Sequence, residues 1–268
     1  MPLATCVATA IEKRRPLPVD TLVPDPLFTS THAITIDAPP EQVWPWIAQM
    51  GAGRAGWYSW DRIDNGGTPS ATRVVPELQT VASGDVMPAV PHAMDAFIVA
   101  SVDPPRDLLL TVPDGHGGNA VAWEHVLDPI AGGRTRLVVR GRASSQWIEL
   151  ARGQPPPGHR RIFIERAYSV LARLPRPMLI GVAAFGHRIM EARHLRGIRC
   201  RSTASPATGV SVDRSRKAVL NLVPPSLERV HNRRDQRWSE AARASARSKR
   251  GSPWQLSSEG IRYSRTTS

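Results

Sequence analysis

An α+β fold is predicted, a curved antiparallel sheet that grips one long C-terminal helix, and three observations predict it. A strand-like segment with β-branched alternation, residues 31–37, runs into a short amphipathic helix. Several further strand-like segments follow between residues 85 and 143, separated by Pro and Gly. After them a long helical pattern closes the folded part, and its apolar stripe needs a sheet to cover.

Taken in order, Thr31–Asp37 sets His32, Ile34 and Ile36 against Thr31, Ala33 and Thr35, which suits a half-buried strand. Asp37, Pro39, Pro40 and Glu41 then read as a helix start, with proline near the first helical position and an acid in the first turn. The helix over residues 41–50 carries Val43, Ile47 and Met50 with Trp44 and Trp46 on a broad apolar face, and Gly51 stops it. Gly51, Gly53 and Gly56 form a literal G-x-G-x-x-G. A dinucleotide loop must follow a parallel strand and open a helix, whereas this one follows a helix and leads into Trp57, so the glycines are read as allowing a sharp turn.

Strands are expected around Asp85–Met87, Ala96–Val102, Asp107–Val112, Asn119–Asp128 and Arg134–Ala143. The last two pair through a loop over residues 129–133, with Asp128 set opposite Arg134. One face then carries Val121, Trp123, His125 and Leu127 against Leu137, Val139 and Gly141, and is dry. The other carries Glu124, Val126 and Asp128 among Arg134, Arg136, Arg140 and Arg142, a charge-paired outer surface in which Glu124 is a cross-strand ion-pair partner. A proline-rich loop at 154–158 leads to a helical region over 161–199, which Pro175 and Pro177 must break or kink. Beyond them Met178, Val182, Phe185, Ile189 and Met190 recur at helical spacing as the buried face, with Arg and His opposite.

The formal charge of +12 points at first to nucleic acid or an anionic membrane, but it is unevenly spread. Residues 201–268 hold 14 Lys+Arg against 5 Asp+Glu, net +9, and residues 1–200 hold 21 against 18, net +3. The chain therefore divides into an N-terminal extension (1–29), a folded domain (30–198) and a basic Ser/Arg/Pro-rich tail (199–268). The tail is expected to be mostly disordered, with a short helix around Glu240–Lys249. As a partner-binding arm it offers nucleic acid or an anionic membrane only weak, salt-sensitive attraction.

Two cysteines, Cys6 and Cys200, build no disulfide framework, zinc knuckle or C-x-x-C. The apolar opening Leu3–Ile11 precedes its basic cluster, the reverse of a secretory signal, and the run Met178–Phe185 falls far below a membrane span. A cytoplasmic protein with no transmembrane segment is expected.

Residues 33–50, with their Ala38-Pro39 start and Val43-Trp44 pair, continue into Gly53, Arg54, Ala55, Gly56, Trp57, Tyr58, Ser59, Trp60 and Asp61. This stretch resembles the opening of the SRPBCC superfamily, the START/Bet v 1-like proteins, and within it a polyketide cyclase/dehydrase-like bacterial subgroup. The resemblance covers residues 20–198 and implies a helix-grip fold with an apolar cavity between sheet and last helix. It implies a small hydrophobic or aromatic ligand, lipid or polyketide-like, and no fixed catalytic set, because fold is not function.

Five of the aromatic residues, Trp44, Trp46, Trp57, Tyr58 and Trp60, fall within residues 44–60. Trp44 and Trp46 read as core, and Trp57, Tyr58 and Trp60 either pack as a lid or stack on a flat ligand. Phe97, Trp123 and Phe185 complete the expected ligand contacts, together with His125. His125 is either a satisfied structural histidine or a group that polarises a ligand carbonyl or moves a proton. A cyclase or dehydratase would use His125, Tyr58 and Asp61 as donors or acceptors, and needs at least two of them in one pocket. No cofactor and no metal are expected: Glu191-x-x-His194 lacks the second copy a metal helix requires and reads as a solvated face, and His92, Asp95 and His116 lie in loops.

Overall fold

A computed structural model describes residues 6–89, 96–153 and 173–204, the side chains of 151–153 excepted. The proline-rich loop, the first part of the expected helical region, His92, Asp95 and the basic stretch 205–268 lie outside the described residues.

Six antiparallel strands form one sheet in the order β1-β6-β5-β4-β3-β2. They are β1 (Phe28–Ile36), β2 (Val86–Pro88), β3 (Ala96–Asp103), β4 (Asp107–Pro113), β5 (Asn119–Ile130) and β6 (Arg134–Ala143). Two short helices, α1 (Ala10–Arg14) and α2 (Pro18–Leu22), precede β1; α3 (Pro40–Ala48) and α4 (Asp61–Asp64) lie between β1 and β2. After β6 come α5 (Gln146–Gly153) and the 27-residue α6 (Arg176–Ser202). The predicted helix-grip arrangement is present: α6 packs across the inner face of the sheet beside α3.

Local signals act where they were read. Pro39 is extended at the N-cap of α3 and Pro40 takes its first position, where a missing N–H costs nothing. Gly51 and Gly56 exchange two backbone hydrogen bonds, and Gly51, Gly53 and Gly56 all take positive φ, so the glycine run is a closed turn. Pro177 sits in the first turn of α6 and starts the helix without kinking it.

The β5–β6 pairing differs from expectation by two residues. Asp128 faces Arg136 and Ile130 faces Arg134, because β5 runs on through Pro129 and the turn shrinks to residues 131–133, where Gly132 and Gly133 have positive φ. A slip of two preserves every side-chain facing, since the strand period is two. Leu127, Leu137 and Val139 therefore lie as expected in the inner core with Ile34, Ile36, Leu195 and Ile198.

The other face is a second core and not an open charged surface. Ala8, Leu17, Val19 and Val23 from the N-terminal segment cover Ala33, Leu109, Ala122, Val126 and Val138. Its arginines are paired with that segment: Arg136 with Glu12, and Arg140 and Arg142 with Asp20. The Arg140 guanidinium also donates to the carbonyls of Glu12, Lys13 and Arg15. Glu124 faces Arg140 across the ladder yet forms no ion pair with it; it is fully buried and accepts from the Val19 amide at 2.8 Å. With Asp107 beside it, burial pushes the Glu124 carboxyl up and carries Asp107 to about 8.

The orientation of α6 about its axis also departs from the sequence reading. Met178, Val182, Phe185 and Ile189 are exposed, whereas Leu179, Glu191, His194, Leu195 and Ile198 are buried. Of the apolar stripe counted as the buried face, four residues point away from the sheet and Met190 alone turns to the inner side, where the supposedly solvated Glu191-x-x-His194 pair also points. No helix among the described residues is long and apolar enough to cross a membrane.

Candidate functional site

A cavity of about 510 Å³ lies between the inner sheet face, α5, α6 and the segment 57–64. Its volume is that of a small-molecule site, and most of its wall is apolar. Trp57, Phe97 and Trp123 build one side as a triangle of rings, with centroids 5.7 Å apart for Trp57–Phe97, 5.5 Å for Trp57–Trp123 and 5.6 Å for Phe97–Trp123. The rings are tilted or edge-on, the arrangements aromatic quadrupoles favour. Trp57 is pinned by its indole N–H donating to the Ala89 carbonyl at 2.8 Å. Phe28 and Trp147 contribute rings elsewhere in the wall.

The α6 wall supplies the polar groups. His187, Glu191 and His194 follow one another at helical spacing and all line the cavity, together with Ile180, Ala183 and Met190. Glu191 is 3% exposed; His187 Nε2 stands 3.6 Å from its Oε2, but burial holds that imidazole down to about 4 and so neutral, and it is already engaged with Ser30 Oγ at 2.8 Å. Burial pushes the Glu191 carboxyl up to about 8, against a smaller downward pull from the Trp123 indole, so it is protonated at neutral pH. Asp64, on α4, is raised to about 6 by burial and then by the charge of Asp61.

His194 Nδ1 lies 2.6 Å from the Trp57 carbonyl, which can only accept, so this nitrogen carries the proton. Burial holds His194 down to about 4, leaving it neutral with a bare Nε2. That nitrogen is 3.2 Å from His125 Nε2, which must therefore be the donor. The chain of bonds from His125 through His194 to Trp57 fixes both tautomers and ties β5, α6 and the aromatic wall together.

Of the seven expected ligand contacts, Trp57, Phe97 and Trp123 line the cavity. His125 is fully buried one layer behind it, its Nε2 proton spent on His194. Tyr58 turns away with φ of 57°, donates its hydroxyl to the Trp46 carbonyl at 2.9 Å and lies under the Arg201 guanidinium. Trp60 is exposed beneath Arg193, and Phe185 is 68% exposed on the outward stripe of α6. Asp61 accepts from Ser70 Oγ at the start of α4. His125, Tyr58 and Asp61 thus do not meet in the pocket, and the proton-transfer set built on them has no common site. Sequence reasoning placed Glu191 and His194 on a solvated face and singled out neither His187 nor Asp64; the positions 187, 191 and 194 on one helix face were the available signal. Among the described residues no three His, Cys, Asp or Glu are grouped to hold a metal ion.

No protein-family model and no curated protein sequence matches the chain. Solved structures similar to it include an AHSA1-like protein from Aeromonas hydrophila, 15% identical over 67% of this chain and 99% of that one, with a TM-score of 0.31. CalU16 from Micromonospora echinospora is 15% identical over 66% and 88%, with a TM-score of 0.27. Ara h 8.0201 is 14% identical over 64% and 97%, also with a TM-score of 0.27. Likeness of this degree establishes no family membership, and the helix-grip arrangement stands on strand order and the position of α6.

Proposed function

We propose that this chain binds and carries a small hydrophobic, ring-containing molecule, lipid or polyketide-like, in the cavity between its sheet and α6. The observation that carries the reading is the 510 Å³ apolar cavity with its wall of Trp57, Phe97 and Trp123 rings. An apolar molecule entering it leaves water for ring faces and aliphatic side chains, at about 25 cal/mol for each Å² buried. The two tryptophans of the triangle report on occupancy through their emission.

Native mass spectrometry of the gently purified chain is expected to show a co-purified mass, and apolar ring compounds are expected to raise its melting temperature. At a ligand concentration a hundredfold above Kd the added stability is about 2.7 kcal/mol. Ala183→Phe, which fills the cavity from α6, should abolish both effects while the chain stays folded. Absence of a bound mass together with no stabilisation by any apolar ring compound refutes the reading.

A further inference from the structure

The cavity wall is mostly apolar, and among the described residues its lining side chains hold five buried polar atoms with no hydrogen-bond partner: both Asp64 carboxyl oxygens, Arg142 Nε and, where β5 meets α6, Trp123 Nε1 and Glu191 Oε1. The Trp123 indole lies near enough to Glu191 to lower its carboxyl, yet among the described residues neither the indole nitrogen nor Glu191 Oε1 reaches a partner at hydrogen-bond geometry. Both residues line the cavity, and Glu191 is 3% exposed. Orphaned buried donors and acceptors are uncommon, because each forfeits its solvation with nothing in return. A bound molecule that satisfies them recovers that loss, which makes such atoms a mark of ligand recognition.

The partner they need is defined by what surrounds them. Trp123 can only donate. Glu191 has no free cation among the described residues: His187, 3.6 Å away, is committed to Ser30, His194 to Trp57 and His125, and the terminal nitrogens of Arg142 to Asp20 and the Pro24 carbonyl, leaving only its Nε without a partner. Asp64, the other carboxyl on the wall, adds acidity and no positive charge. An anionic ligand would therefore enter a site whose lining guanidinium, Arg142, is already paired with Asp20, next to two carboxyl groups. A neutral oxygen acceptor meets no such penalty and accepts hydrogen bonds from the indole N–H and from the acid form of Glu191.

We propose that the cavity selects a neutral ring compound bearing a carbonyl oxygen, held at the β5–α6 wall by the Trp123 indole N–H and the Glu191 carboxyl. This rests on the cavity being a ligand site at all, and it names the polar group that the ligand carries. The ring packs against Trp57 and Phe97 while its carbonyl points to α6.

Three matched tricyclic probes test it on the full chain by tryptophan quenching: fluorenone, fluorene and fluorene carboxylate. Fluorenone is expected to bind about tenfold more tightly than fluorene, although it is the less apolar of the two, and the carboxylate most weakly. Glu191→Gln, which keeps a donor of the same size, should retain most of that preference; Glu191→Leu and Trp123→Phe should each erode it. Equal binding of ketone and hydrocarbon by the unaltered chain overturns the proposal and leaves the apolar cavity reading standing, as does a preference that survives in both Glu191→Leu and Trp123→Phe. Tightest binding of the carboxylate also overturns it. Failure of all three probes to bind overturns this proposal, and the cavity reading falls with it only if native mass spectrometry also shows no bound mass and no apolar ring compound raises the melting temperature.

Discussion

Gly197 is where α6 touches the segment that carries the aromatic wall, and replacing it with alanine separates packing from helix propensity. A Cβ there would stand 2.2 Å from the Tyr58 carbonyl oxygen and 2.7 Å from Tyr58 Cβ. Neither neighbour is the free end of a flexible side chain: Tyr58 is buried, holds a positive φ and is bonded through its hydroxyl to Trp46. The clash must be relieved by moving α6 or the 57–59 backbone, at an overpacking cost of about 1–3 kcal/mol. Alanine recovers only about 1 kcal/mol of helix propensity, so the upper part of that range decides the sign. Gly181 and Gly186 in the same helix have no described residue within 4 Å of a built Cβ, and there Gly→Ala should stabilise by about 0.5–1 kcal/mol. Thermal and urea unfolding of the three variants are the assay, with each kcal/mol worth about 2–4 °C in Tm for a domain of this size. Gly197→Ala is expected below the unaltered chain, and Gly181→Ala and Gly186→Ala above it. A Gly197→Ala protein at least as stable as its parent would refute the close seating of α6 on Tyr58, and with it the position of Trp57 over the cavity.

Three other consequences can be measured. The raised carboxyls of Glu191 and Asp107, each near 8, favour the protonated form in the fold, so their contribution is full below pH 4 and is lost as pH rises through 8. Denaturation between pH 5 and 8 should show falling stability, by about 1.4 kcal/mol per pH unit for each such group, levelling off above 8, and Glu191→Gln should flatten the slope; an unchanged slope in that variant contradicts the buried acid. His194, lowered to about 4, acts in the opposite direction: its contribution is present above 6.5 and is lost as pH falls through 4, so His194→Gln should be less sensitive to acid than its parent in urea titrations at pH 4–6. Arg140→Ala removes a buried guanidinium that holds Asp20 and three carbonyls of the N-terminal segment, at about 3 kcal/mol, and should open trypsin cleavage at Lys13–Arg15; unaltered protease resistance would show that other contacts hold the segment.

How much of this was legible in the chain depends on how far apart the interacting residues lie. Strand identity and facing were readable because alternation is local: Trp123, His125 and Leu127 face one way whatever strand lies beside them, and a pairing error of two residues leaves them there. The start of α3 and the closed glycine turn were readable for the same reason, since Pro40 and Gly51 act on their own backbone.

Which side of α6 faces inward was decided only by tertiary packing. The helix has apolar residues on more than one side, and a stripe that lines a cavity need not be the most apolar one. Met178, Val182 and Phe185 thus looked like core and lie outside, while Glu191 and His194 looked solvated and lie within. The partners of Arg136, Arg140 and Arg142 come from residues more than a hundred positions away, in five-residue helices too short to show a period. The sequence by itself determined the layers and the aromatic side of the cavity. The tertiary structure decided its polar side, because the exposure of a carboxyl or an imidazole is set by what packs over it, and no neighbour in sequence records that.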